Sequence, residues 1–68
     1  MSHPTKTEIL ETAQKVLTNK QYDVFRLSLN GLGAARIAIM LDISEPVARR
    51  TVKRAMQLVE IELRKEAA

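Results

Sequence analysis

Apolar residues recur at helical spacing along most of the chain, and capping residues separate the runs. Ile9, Ala13, Val16 and Leu17 share one helical face. Thr5-Lys6-Thr7-Glu8 ahead of them fits a capping box, in which the Thr hydroxyl and the Glu carboxylate each satisfy a free amide. A first helix is therefore expected over about 6–16. Thr18-Asn19-Lys20-Gln21 repeats the device, with Leu17 before the cap and Tyr22 placed to pack on it as a hydrophobic staple. The second helix is expected over about 19–30, with Val24, Phe25 and Leu29 facing a shared core among the apolar positions Tyr22, Val24, Phe25, Leu27 and Leu29. Asn30-Gly31 ends it, Gly31 taking a left-handed conformation that other residues resist.

Leu32 and Gly33 open a third helix over about 34–41, where Leu32 can staple onto Ile37. Ile37, Ala38 and Leu41 keep helical spacing, and Ile43 follows one break later, as expected if the turn tucks it beneath a short helix. Ala38 is small, as required where two helix axes cross closely. Asp42 to Ser44 form the turn, Ser44 caps the next helix, and Pro46 falls in its first turn, where a missing N–H costs nothing. The fourth helix meets no breaker and is expected over about 45–65, with Ala48, Val52, Ala55, Met56, Val59 and Leu63 along its apolar stripe. The pattern predicts an all-α fold, a small four-helix domain containing a helix-turn-helix with a long C-terminal recognition helix.

Charge sharpens this picture. Arg49, Arg50, Lys53 and Arg54 lie off the apolar stripe, four cations in six residues with no nearby acid expected to answer them. A basic run alone is often a solvated face. This one follows a turn on the helix that such motifs place in the major groove, with early residues over base edges and later ones near phosphates. Arg49 and Arg50 are the candidate base readers, and Lys53 and Arg54 the candidate phosphate contacts. Glu45 and Pro46, in the first turn of the same helix, belong to the same expected DNA interface. So do Gly33 and Ala34, whose free amides, with that of Ala35, can meet a phosphate oxygen, and the outward-facing Arg36 beside them.

A chain of 68 residues with a formal charge of +3 is one small domain whose cations are concentrated locally: residues 44–57 carry four, against the single acid Glu45. With no Cys and a single His, His3, the sequence offers neither a disulfide framework nor a metal site, and His3 is given no role. No nucleophile, phosphate loop or paired carboxylates suggest an enzyme, and no cofactor is expected. The N-terminus lacks the zones of a secretory signal and no run is long enough to span a bilayer. The expectation is a soluble, intracellular protein. The second half of the last helix, 57–68, has two functions open to it. Val59 and Leu63 can cover the first helix, whereas Leu58 and Ile61 lie on another flank suited to a partner or homodimer face. Tyr22 and Phe25, the only aromatics, are expected in the core rather than stacked on a base.

The run Leu17 to Gly31, LTNKQYDVFRLSLNG, followed by Leu32, Ile37-Ala38, Leu41 and Ile43-Ser44-Glu45, resembles region 4 of bacterial RNA polymerase sigma factors and the related LuxR-type DNA-binding domains. The resemblance covers about residues 10–63. A full helix before Leu17-Thr18, and Val52-Lys53-Arg54-Ala55 with Leu58 and Leu63 behind it, look more like the sigma domain. It implies a four-helix domain that reads promoter double-stranded DNA through the helix after Ser44, carried here by Arg49, Arg50, Lys53 and Arg54, with RNA polymerase as a possible partner. Asp42 stands where such turns frequently have Gly, and Ala48 and Thr51 where larger aliphatics are usual. Nothing corresponds to the sigma regions that hold polymerase. The function expected is sequence-specific DNA binding in transcription regulation. The alternatives are a protein-interaction adaptor and an architectural factor in recombination or packaging of mobile DNA.

Overall fold

The computed structural model describes residues 4–67. Four helices follow in order, α1 Lys6–Val16, α2 Asn19–Leu29, α3 Ala34–Leu41 and α4 Glu45–Ala67, with no strand among the described residues. His3 lies outside them.

Local chemistry accounts for the helix starts. The Thr5 hydroxyl accepts from the Glu8 amide at 3.2 Å while the Glu8 carboxylate accepts from the Thr5 amide at 3.2 Å. Thr18 and Gln21 exchange the same pair at 3.2 and 3.1 Å. The Ser44 hydroxyl caps α4 by accepting from the Val47 amide at 3.3 Å. Gly33 starts α3 without a side-chain cap.

The helix ends are also local. α2 stops one residue short of expectation because Asn30 leaves the helix as its cap, and Gly31 follows at φ 92°. α3 ends on Asp42, which adopts the left-handed conformation at φ 55°, ψ 49°. α4 runs two residues beyond expectation, to Ala67. Its last turn is tied to α1, where the Thr12 hydroxyl donates to Glu66 Oε1 at 3.2 Å and Lys15 Nζ pairs with Glu66 Oε2 at 3.3 Å. At the standard rise its 23 residues extend about 34 Å, which accounts for most of the 37 Å long axis.

α4 packs against all three other helices, and α2 also touches α1 and α3, whereas α1 and α3 make no contact with each other. The core accordingly divides in two. Val24, Leu27, Ile37, Ala38 and Ala48 form one cluster, with Leu32, Leu41, Ile43 and Val52 packed on it. Ala13, Phe25, Ala55 and Val59 form the other, flanked by Ile9, Leu10, Val16, Leu17, Tyr22, Leu29 and Leu63. Alanines recur where the helices pack together: Ala13, Ala48 and Ala55 are fully buried in the two clusters. Small side chains let helix axes approach, and a larger one would force them apart at a cost of about 1–3 kcal/mol.

Two expected core positions require correction. Leu27 is buried, although only Val24, Phe25 and Leu29 were expected to face the core of α2. The helix lies between two clusters, so its apolar residues serve two faces. Met56, expected on the α4 stripe, is 46% exposed. It lies at the edge of that stripe, over an apolar groove lined by Ile9, Phe25, Leu29 and Leu63.

Candidate nucleic-acid interface

The first turns of α4 are held from beneath and free above. Ala48 is fully buried against α2 and α3, and Val52 continues that contact one turn later. The positions between them face away from the core. Arg49, Arg50, Lys53 and Arg54 are all exposed, as expected. Residues four apart lie one above the other on a helix, so they form two rows, Arg49 with Lys53 and Arg50 with Arg54, separated by about 100° around the axis.

The rows differ in their neighbours. Arg49 Nη2 pairs with Glu45 Oε1 at 2.6 Å, so the expectation that no acid answers these cations fails for Arg49. The two are one turn apart and both exposed, and Glu ahead of a basic residue at this spacing is the favourable order. Arg50, Lys53 and Arg54 make no ion pair with any described residue. Arg50 and Arg54 line one wall of an open groove of roughly 470 Å³, whose opposite wall is the start of α2 at Thr18, Lys20 and Gln21. The sequence reading did not bring Lys20 into this set.

The other expected contacts are distributed around this face. Glu45 and Pro46 occupy the first turn of α4 and are exposed. Gly33 is exposed and Ala34 is half-buried on the core of α3, so Ala34 offers its backbone only. The first-turn amides of α3 receive no side-chain cap, and Arg36 is exposed without an ion pair among the described residues. None of Gly33, Ala34 or Arg36 lines the groove at Lys20.

The flank assigned to a partner is uneven. Ile61 is 49% exposed, Leu58 is half-buried, and neither belongs to a core cluster. Val59 and Leu63 are engaged with α1 inside the monomer. Ile39, 81% exposed, and Met40 add an apolar area on the outer side of α3 that sequence reasoning missed. No helix among the described residues is long and apolar enough to cross a membrane. Comparison of the chain with family models, curated proteins and solved structures finds no match.

Proposed function

We propose that the chain is a sequence-specific double-stranded-DNA-binding protein that acts in transcription regulation, with α3, the turn and the first half of α4 working as a helix-turn-helix. The observation that carries this reading is the pair of basic rows on the outward face of α4, one turn beyond Ser44. A helix about 10–12 Å across fits a major groove about 12 Å wide. There the Arg49–Lys53 row meets the floor and wall of the groove.

Glu45 supports a role for Arg49 in base reading. A guanidinium held by a carboxylate one turn away has fewer rotamers to lose on binding, and an arginine bidentate to guanine discriminates by about 1–3 kcal/mol. Glu45 also opposes indiscriminate phosphate binding by placing an anion at the helix start. Free first-turn amides of α3, with Arg36 beside them, supply a backbone contact of the kind helix N-termini make with phosphate.

This role belongs in the cytoplasm of a bacterium or a phage-infected cell, on the nucleoid. Polymerase contact is a secondary proposal and the domain is read as a monomer, because on the Leu58–Ile61 flank only Ile61 is exposed. Selection of binding sites from a randomised duplex pool, followed by a footprint, tests the reading. A common enriched sequence supports it. Salt-sensitive binding without enrichment replaces it with an architectural role, and absence of duplex binding replaces it with an adaptor role on a protein partner.

A further inference from the structure

The groove between the start of α2 and the first turns of α4 is lined by three cations from two helices, Lys20, Arg50 and Arg54, together with Thr18, Gln21, Val47 and Thr51. No carboxylate lines it, and none of the three cations makes an ion pair with a described residue. The neutral polar groups are partly engaged. Thr18 and Gln21 satisfy each other's backbone in the α2 capping box, and the Thr51 hydroxyl donates to the Val47 carbonyl at 2.7 Å. The donors left over are the three cations, with the Gln21 side-chain N–H groups and the Thr18 hydroxyl proton beside them, so the lining is rich in donors.

That inventory selects the ligand. A neutral polar molecule would find few acceptors and no carboxylate here, whereas an anion with several oxygens would meet three cationic heads at once. The groove is open to solvent rather than enclosed, which suits a segment of a chain passing over it. Like charges crowded around one concavity, with Lys20 in a helix first turn that contains no acid, are unfavourable in the free protein and are relieved by an anion.

We propose that this groove seats consecutive backbone phosphates of one strand of the duplex, on the edge of the major groove that α4 enters, with Lys20, Arg50 and Arg54 each answering one phosphate. The inference rests on the duplex-DNA reading above. It moves Arg50 from the base readers to the phosphate contacts, because Arg50 shares its flank with Arg54 and faces α2. It also extends the interface onto α2, about 30 residues earlier in the chain.

The test compares the unmodified chain with Lys20→Ala, Lys20→Arg and Lys65→Ala on a mixed-sequence duplex of about two helical turns, with affinity measured across a salt series. Lys65 is an exposed cation about 16 Å along α4 from Arg54 and serves as the charge-matched control. Lys20 is exposed and takes no part in the α2 capping box, so circular dichroism should report the same helix content in all four. Lys20→Ala should flatten the slope of log affinity against log salt by about 0.9, Lys20→Arg should restore it, and Lys65→Ala should leave it unchanged. A steep salt dependence in the unmodified chain with an unaltered slope in Lys20→Ala overturns the seat and leaves the DNA reading standing. Equal flattening by Lys20→Ala and Lys65→Ala also overturns the seat, since it shows a diffuse field. Absence of salt-dependent duplex binding by the unmodified chain overturns both.

Discussion

The Ile43 amide donates to the Ala38 carbonyl at 3.0 Å, and this bond closes α3 in the same way that the Leu32 amide, donating to the Leu27 carbonyl at 3.2 Å, closes α2. Inside each lies a second bond that closes a shorter span of chain, from the Asp42 amide to the Ile39 carbonyl at 3.4 Å and from the Gly31 amide to the Ser28 carbonyl at 3.0 Å. Both helices thus end in the paired arrangement that satisfies free carbonyls by turning one residue left-handed. In α2 that residue is Gly31, in α3 it is Asp42. The closure returns Ile43 onto the cluster of Ile37, Ala38 and Ala48, and so sets where α4 begins.

The first prediction concerns Asp42, whose side chain makes no hydrogen bond among the described residues. Left-handed backbone is tolerated by Asp, free for Gly and strained for a β-branched residue. Asp42→Gly should therefore be at least as stable as the unmodified chain, while Asp42→Val should lose about 2 kcal/mol. Urea unfolding midpoints check this. An equal loss in both variants would show that the carboxylate, and not the backbone, holds the turn.

Glu45→Gln should separate specificity from affinity. The Glu45–Arg49 pair is exposed on both sides, so its removal should change stability by no more than about 0.5 kcal/mol. It frees Arg49 and removes an anion from the DNA-facing end of α4. Affinity for mixed-sequence duplex should rise while the ratio of selected to mixed affinity falls. Parallel titrations on the two duplexes measure that ratio, and an unchanged ratio would show that Glu45 does not orient Arg49.

What the sequence made legible was mostly what forms within one turn of chain. The capping boxes at Thr5 and Thr18, the cap at Ser44 and the closure around the left-handed Gly31 are interactions between residues at most five apart, and each was expected where it stands. The Glu45–Arg49 pair is equally local, since Glu45, the single acid of 44–57, stands one turn before Arg49 at the spacing that brings two side chains together. Leu27 and Met56 were misplaced for a different reason. Which side of α2 or α4 is buried depends on where three other helices lie, and a single apolar stripe is a poor guide for a helix wedged between two clusters. Lys20 was illegible as a site residue, since nothing local to LTNKQY indicates that α4 brings Arg50 and Arg54 beside it.

Ile61→Glu tests whether the outer flank of α4 is an interface. Val59 and Leu63 are already covered by α1, and Thr12 and Lys15 hold Glu66 at the far end, so the monomer uses the main apolar stripe itself. The unmodified chain should sediment as a monomer at about tens of micromolar, a concentration within the range expected for nonspecific duplex affinity. Ile61→Glu should change stability by less than about 0.5 kcal/mol. A dimer in the unmodified chain, converted to monomer by Ile61→Glu, would contradict this and restore the flank as a self-association face.

The central claim is that the outward face of α4 binds duplex DNA, and its most direct test is the salt dependence of duplex affinity in the unmodified chain and in the variant with Arg49, Arg50, Lys53 and Arg54 all replaced by Ala. These side chains are exposed and the substituted helix keeps its buried face, so the variant should remain helical. With three or four phosphates neutralised, log affinity should fall against log salt with a slope of about −2.7 to −3.6, and the variant should lose most of that slope together with its affinity. Affinity that is the same at low and high salt, or the same in the folded quadruple variant as in the unmodified chain, would contradict the claim.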